Sequence, residues 1–333
     1  MKMRPWLCAC FLLGSWAVSG AHAAEADLSR PGANGTPTPV RLGLYLADLF
    51  EISGAEQTVL ADVVLLAEWR DPRLASSEPG LRGMDLDDIW NPRLQFVNQR
   101  GVNATLPQRV EVDSTGLVHY RQRWWGRFST RMDLKDFPMD RHEFHVQVAS
   151  LGYPRDQVEL VPSPEKSGRV PILSVTDWAI GPAVAEVADV ERGSGVKALA
   201  GIRLTWEGRR RVGYYVLQVA LPLVLIVLMG WTAFWVDPAV VTTRMSVSVT
   251  TMLTLIAYRF ALGRQVPNLA YLTRFDYFLL GSTLLVFVTL LVVAAGAYLV
   301  GKDRKALVHK IDRWSRAAFL VIFAAVLAWS WWL

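Results

Sequence analysis

The chain divides into two parts by the spacing of its hydrophobic residues. From about residue 40 to residue 211, apolar positions come in short segments that alternate with polar ones, as in 143–148. Alternation with a period of two is typical of strands that bury one face. The segments 108–112 and 117–123, joined by the turn 113–116, predict a hairpin. Many short strands over this length predict a β-sandwich.

After residue 211 the pattern changes to long apolar runs. Each run approaches the roughly 20 residues that cross a hydrocarbon core of about 30 Å. The four runs are 214–236, 245–262, 275–300 and 317–333. We therefore predict an extracellular β-sandwich domain, residues 40–213, followed by a four-helix transmembrane bundle, residues 214–333.

The N-terminal segment has the layout of an export signal. Residues 1–24 combine a basic start, an apolar core and a small-x-small cleavage site at 21–23, which predicts a signal peptide. The alternative is an uncleaved N-terminal anchor. The only two cysteines, Cys8 and Cys10, lie in this segment, so a cleaved chain would have no disulfide. Residues 25–39, rich in Pro, Gly, Ala and Thr, predict a flexible lead.

Composition and loop charge narrow the class of protein. With 52% hydrophobic residues and a net charge of +5, the chain is not dominated by disorder. Its basic residues are scattered or lie beside apolar runs, so we expect no nucleic-acid partner. The segment 301–316 has six basic and two acidic residues, which predicts a cytoplasmic location. The three arginines at 209–211 would then lie outside and need another role.

The second apolar run is too polar to face lipid on all sides. Six positions at spacings of three and four residues share one helical stripe: Ser246, Thr250, Leu253, Ala257, Phe260 and Arg264. Several copies around an axis would form a pore with hydroxyl groups for ions and an apolar ring that closes by dewetting. The alternative is that these hydroxyls mediate helix packing.

Several short motifs occur in a fixed order along the chain. They are W-R-D-P-R-L at 69–74, I-W-N-P-R-L at 89–94, F-P-M-D at 137–140, R-V-G-Y-Y at 211–215, F-W at 234–235, T-T-M-L-T at 250–254, and Pro267 with Asp276. Together they resemble the pentameric ligand-gated ion channels, or Cys-loop receptors, and most closely their prokaryotic branch. The family's loop cysteines would fall at Thr130 and Phe144, and their absence fits that branch.

The resemblance implies a homopentamer around a central pore that passes small monovalent ions. A small-molecule agonist or protons would open it, and membrane lipid would surround it. We expect it in a bacterial inner membrane, with the N-terminal domain in the periplasm or outside. The alternative function is a non-conducting ligand sensor with the same fold.

We expect no enzymatic activity, because no catalytic motif or nucleotide-binding fingerprint is present. We also expect no cofactor and no metal. His142 and His145 would point to opposite faces of one strand, which disfavours shared metal ligation.

The resemblance also implies which residues set charge selectivity. The region is Asp237, Thr242, Thr243 and Arg244. The chain has neither the Glu of cation-selective relatives nor the Pro-Ala of anion-selective ones before Arg244. Fixed positive charge favours anions or weak selectivity, whereas the prokaryotic resemblance favours cations, so the sequence leaves the ion charge open.

Coupling between the two domains is expected where they meet. Asp140 and Arg211 are the predicted ion pair, which would give one exterior arginine a role. Glu56 on an early loop and Pro267 after the second helix are expected beside it.

Agonist sites are implied between neighbouring β-domains. The expected contacts are Phe96, Ser150, Leu151 and Tyr153 from one subunit and Arg121 and Arg123 from its neighbour. Three of the usual aromatic positions are not aromatic here, so a quaternary amine should be a poor agonist. An anionic ligand held by arginine and gating by protons are the remaining alternatives.

Overall fold

In a computed structural model of the chain, the structure describes residues 27–32, 35–191, 193, 197–262 and 271–332. The signal peptide predicted for residues 1–24 lies outside the described residues.

Within the described residues, twelve strands form the N-terminal domain. They are β1 (Thr38–Ser53), β2 (Thr58–Arg70), β3 (Arg82–Asp85), β4 (Leu94–Phe96), β5 (Gln99–Ala104), β6 (Arg109–Val112), β7 (Leu117–Ser129), β8 (Arg141–Pro154), β9 (Val158–Pro162), β10 (Gly168–Arg169), β11 (Trp178–Val187) and β12 (Leu199–Arg210). One sheet has the order β10-β1-β2-β7-β6-β3, with β9 beside β1 and β5 beside β7. The other has the order β11-β12-β8-β4. The predicted β-domain is therefore confirmed.

The predicted hairpin is present, with Val112 of β6 opposite Val118 of β7. Gly116 closes its turn at φ 78°, and a Cβ there would come within 2.3 Å of the Asp71 carbonyl oxygen. Only glycine fits such a left-handed turn against backbone.

The start of the domain differs from the prediction. Strand β1 begins at Thr38, two residues before the predicted boundary at residue 40. The Arg30 guanidinium donates to the Gln157 carbonyl at 2.9 Å, so part of the lead predicted to be flexible is tied to the domain.

Large aromatic side chains fill the space between the two sheets. Those with less than 2% exposure are Trp69, Trp90, Trp178, Trp206, Phe128 and Phe144. Phe137 is equally buried but packs against Tyr215 and Phe275 of the helical part. An aromatic side chain buries roughly 150–250 Å² of surface. Packing of these rings therefore stabilises a domain that has no cysteine to form a disulfide.

The C-terminal part is helical throughout most of its length. Its helices are α1 (Leu221–Trp231), α2 (Val241–Leu262), α3 (Arg274–Gly301) and α4 (Lys305–Trp332). A π-helical turn, Tyr215–Ala220, leads into α1. Pro222 cannot donate a backbone hydrogen bond, and the Leu221 N–H bonds to the Val216 carbonyl five residues earlier.

Three described helical segments are long and apolar enough to span a membrane: Tyr215–Phe234, Val241–Leu262 and Arg274–Gly301. The fourth predicted span is the second half of α4, whose first half is charged, and it stays a prediction.

Candidate functional site

Helix α2 has one face packed against its own subunit and one face left open. Thr251 and Leu255 are at most 1% exposed, whereas Leu253 and Phe260 are 61% and 80% exposed. The open face carries the described residues predicted to line a pore: Ser246, Thr250, Leu253, Ala257 and Phe260. Arg264, the sixth of that stripe, lies outside the described residues.

Close packing determines which face of α2 is open. Gly230 of α1 lies beside Thr251, and a Cβ at Gly230 would come within 3.2 Å of the threonine methyl carbon. The Tyr258 hydroxyl donates to the Val219 carbonyl at 2.7 Å. Small residues and interhelical hydrogen bonds allow such close approach. The opposite stripe of α2 must then face away from the subunit.

The residues predicted to set charge selectivity do not share one environment. Thr242 and Thr243 are exposed at the start of α2, and Asp237 accepts a backbone N–H at 2.7 Å in a local turn. Arg244, in contrast, is 3% exposed, and its Nη2 donates to Asp312 Oδ1 of α4 at 2.6 Å. Although we predicted Arg244 in the selectivity region, it is not a free charge at the open face.

A buried ion pair joins the β-domain to the chain just before the first helix. Asp140 accepts from Arg210 Nε at 2.7 Å and from Nη2 at 3.0 Å, and neither residue is more than 7% exposed. The predicted partner, Arg211, is therefore wrong by one residue. Strand β12 continues through Arg210, and successive strand residues point to opposite faces. Arg211 is exposed, and its N–H donates to the Asp177 carbonyl.

The surroundings of Asp140 keep its carboxylate ionised. Burial opposes ionisation, but hydrogen bonds with His142 and Arg210 and the Arg210 charge lower the pKa of Asp140 to about 2. His142 Nε2 lies 2.8 Å from Asp140 Oδ2. The Arg210 guanidinium lies 4.2 Å from the Trp178 ring centroid and donates to the Tyr215 hydroxyl at 3.3 Å. The pair thus connects β8, β11, β12 and the π-helical turn that leads into α1.

The loop between β7 and β8 also contacts the start of α3 through residues that sequence reasoning missed. The Leu134 N–H donates to the Tyr271 hydroxyl at 2.9 Å, and the Arg274 N–H donates to the Lys135 carbonyl at 2.9 Å. Thr273 caps α3 in a reciprocal capping box. The Thr-x-x-Asp signature of that box marks a helix start in the sequence, but the contact of that start with the loop depends on tertiary packing.

The turn between β1 and β2 packs on the same loop. A Cβ at Gly54 would lie 2.6 Å from a Leu134 methyl carbon. Glu56, predicted to take part in coupling, is in this turn but pairs with Arg127 of β7 at 3.2 Å. Pro267, the other predicted coupling residue, lies outside the described residues.

Four of the six residues predicted to bind an agonist lie near the β4 edge of the four-stranded sheet. Phe96 is buried with its ring centroid 5.9 Å from that of Trp124, and buried Ser150 donates to a backbone carbonyl at 2.7 Å. Both stabilise the interior, so their prediction as ligand contacts is corrected. Leu151 is 43% exposed, and Tyr153 is half-buried.

Leu151 lies at a cavity of about 340 Å³ that sequence reasoning missed. Trp69, Tyr120 and Trp124 contribute aromatic surface to it, and charged and polar groups come from Asp87, Asn91, Arg93, Gln95 and Gln108. The Trp124-Trp125 dipeptide is a sequence signal for it, because on a strand one of two adjacent rings must point inward.

The two arginines on β7 that were predicted to bind an agonist, Arg121 and Arg123, differ in whether an acidic residue of the same chain binds them. Arg123 Nε lies 2.9 Å from Asp62 Oδ2, and this hydrogen bond raises the pKa of Arg123. Arg121 is exposed and has no ion-pair partner among the residues that the structure describes. It borders a cavity of about 640 Å³ together with Glu68 and Lys166. The Lys166 hydrogen bond is the main cause that lowers the pKa of Glu68.

Two family models match the chain, one in the β-domain and one in the helical part. A model described as neurotransmitter-gated ion-channel ligand binding domain matches residues 26–179. A model described as neurotransmitter-gated ion-channel transmembrane region matches residues 219–330. Proteins of this family are ligand-gated ion channels rather than enzymes. The matched domains and apolar helices indicate a multi-pass membrane protein with an extracellular N-terminal domain. The chain belongs to the neurotransmitter-gated ion-channel family, the Cys-loop pentameric ligand-gated channels.

Proposed function

We propose that this chain is the subunit of a homopentameric channel for small monovalent ions, opened by a ligand at the extracellular domain. The open face of α2 carries the proposal. Hydroxyl groups of Ser246 and Thr250 lie toward one end, and exposed Leu253 and Phe260 lie toward the other. Around a fivefold axis, the hydroxyls would hydrate the pore and the two apolar rings would close it by dewetting.

The same proposal places the protein in a bacterial inner membrane with the β-domain in the periplasm. The residues from 317 onward in α4 provide the fourth span. The connection between α3 and α4 is only residues 302–304, as in the prokaryotic branch that the sequence resembles.

Two adjacent threonines test the pore. Thr250 is exposed and Thr251 is fully buried, yet the two side chains are chemically identical. Beyond residue 10 the chain has no cysteine, so Thr250→Cys and Thr251→Cys each introduce one reactive thiol. We expect a charged thiol reagent to change the current through Thr250→Cys and to leave Thr251→Cys unaffected. Equal modification of both variants, or of neither, contradicts a pore on this face.

Leu253 tests the gate. In planar bilayers, Leu253→Ala should open at a lower agonist concentration than the wild type, because a smaller apolar ring dewets less readily. If both proteins stay silent across a pH series and a ligand panel, the non-conducting sensor becomes the better function.

For the agonist, we propose a small molecule with an anionic group bound between neighbouring subunits. Arg121 would hold the anionic group, because Arg123 is already engaged by Asp62. The aromatic cavity beside Leu151 would hold the rest of the ligand from the adjacent subunit. The indole N–H groups of Trp69 and Trp124 have no partner among the described residues, which leaves two donors near this cavity.

Arg121→Ala tests this agonist class, with Arg70→Ala as the control because Arg70 is also exposed on the same sheet. Loss of a charge-assisted hydrogen bond should raise the half-maximal agonist concentration about tenfold or more. Unchanged potency removes the anionic ligand. Full activation by acid without any organic ligand selects protons instead.

A further inference from the structure

A second buried ion pair lies at the other end of the helical domain. Arg244 in the first turn of α2 and Asp312 of α4 are 3% and 2% exposed, and Arg244 Nη2 donates to Asp312 Oδ1 at 2.6 Å. Arg244 Nε and Asp312 Oδ2 have no hydrogen-bond partner among the described residues. The two side chains are thus held by one direct contact and by the attraction of opposite charges.

Arg244 lies on the far side of α2 from the open face. It comes two residues before Ser246, which places the two side chains about 160° apart around the helix axis at 3.6 residues per turn. A positive charge in the first turn is also unfavourable against the positive end of the helix dipole. Asp312 of α4 compensates that charge.

Other charged groups do not take the place of either partner. The acidic residue closest to it in sequence in this part of the chain, Asp303, is exposed in the connection between α3 and α4. Arg316, one turn further along α4, is committed elsewhere, since its Nε donates to the Phe234 carbonyl at 3.1 Å. Within the part of the chain that the structure describes, Arg244 forms its salt bridge with Asp312.

We propose that Asp312 is a positioning residue for ion selectivity, which neutralises Arg244 beside the cytoplasmic mouth of the pore. The inference rests on the proposed channel function. In a pentamer, five unpaired arginines at this level would form a ring of positive charge, which attracts anions and repels cations. With Asp312 in place, Thr242 and Thr243 face the mouth without that ring behind them.

Reversal potentials in asymmetric salt test the proposal. Asp312→Asn leaves Arg244 unpaired, and we expect the anion-to-cation permeability ratio to rise about tenfold or more. The double variant R244Q/D312N differs from it only at residue 244 and has no charge at the pair, so it should keep the wild-type ratio. Asp303→Asn is the matched control for loss of an acidic residue on the same side, where exposure and salt screen the effect.

The outcomes separate this inference from the proposed function. A wild type that never conducts contradicts the channel itself. A conducting wild type whose reversal potential equals that of Asp312→Asn overturns the inference alone. A double variant shifted as far as Asp312→Asn overturns it too. If Asp312→Asn does not reach the membrane, the wild type is compared with the double variant. Equal anion-to-cation permeability ratios support neutralisation of Arg244 by Asp312. Different ratios show that Arg244 acts on ions even while it is paired, which overturns the inference.

Discussion

Two buried Arg–Asp pairs lie at opposite ends of the helical domain, and they differ in how completely they are satisfied. Asp140 and Arg210 share two hydrogen bonds, with His142 and Tyr215 as further partners. Three aromatic rings also lie within 5.7 Å of the Arg210 guanidinium carbon. Arg244 and Asp312 share one hydrogen bond and leave one atom each without a partner.

The difference shows that burial of an ion pair does not define its role. Removing one partner of any buried pair is costly, but a pair as a whole stabilises only when its remaining donors and acceptors are satisfied. The extracellular pair, Asp140 and Arg210, is satisfied and connects three strands to the turn that leads into α1, which suits mechanical coupling. The Arg244–Asp312 pair is poorly satisfied, so the charge-cancelling role proposed above suits it better than a role in stability.

The largest expected effect is the loss of Arg210. Arg210→Ala leaves the Asp140 carboxylate buried without its cation, which should lower the free energy of unfolding by about 3–5 kcal/mol. Arg211→Ala, one residue further, changes an exposed side chain and should stay within about 0.5 kcal/mol. Thermal unfolding of the detergent-solubilised protein measures both changes, and agonist-evoked current should disappear only in Arg210→Ala. Similar losses in the two variants would contradict the assignment of the pair.

The difference between Arg211, the predicted partner of Asp140, and Arg210, the observed one, shows which features the sequence can predict. Alternation with a period of two predicted the β-domain and its hairpin, because a half-buried strand requires that pattern. The pattern did not show where β12 ends, and a shift of one residue exchanges the face that bears the arginine. A regular repeat likewise predicted the stripe on α2, because residues three or four apart share one face of a helix. That face is exposed in the structure.

Other parts of the site could not be predicted from local patterns. Whether Phe96 faces the interior or a ligand depends on how the two sheets close over it. Arg244 and Asp312 are far apart in sequence, and their contact depends on how α2 and α4 both pack against α3. The cavity beside Leu151 combines residues from both sheets. Contacts of this kind come from tertiary packing, which no local period encodes.

The second prediction replaces each whole pair by neutral amides. D140N/R210Q removes a satisfied network and its ring contacts, and it should cost about 1–3 kcal/mol of unfolding free energy. R244Q/D312N removes a poorly satisfied pair and should stay within about 1 kcal/mol of the wild type, or even stabilise the protein. Parallel thermal unfolding measures both. The reverse order of stability would mean that hydrogen-bond satisfaction does not distinguish the pairs.

Strong acid should destabilise the folded protein through Asp140. The pKa of Asp140 falls from 3.8 to about 2 in the folded protein. Because the folded value is the lower one, ionised Asp140 contributes stability above about pH 4 and loses it as the pH falls toward 2. The contribution is about 2 kcal/mol. Unfolding of the wild type and Asp140→Asn across pH 2–7 should differ in slope only in that acidic window. A slope difference centred above pH 5 would contradict it and would make Asp140 a candidate proton sensor.

The smallest expected effect is the loss of stability that protonation of His145 causes in mild acid, which is distinct from the loss at Asp140. Burial and then the Arg203 charge lower the pKa of His145 below 6.5, although Glu143 acts in the opposite direction. As the pH falls below 6.5, the unfolded chain therefore binds a proton at this position before the folded chain does, and stability decreases. His145→Gln should remove this mild loss while leaving the steeper loss toward pH 2 in place. Combining it with Asp140→Asn should remove the contributions of both groups, because the two groups titrate in separate windows. If His145→Gln also altered the profile below pH 4, the two groups would be coupled, and the extracellular pair would extend across β8 to its opposite face.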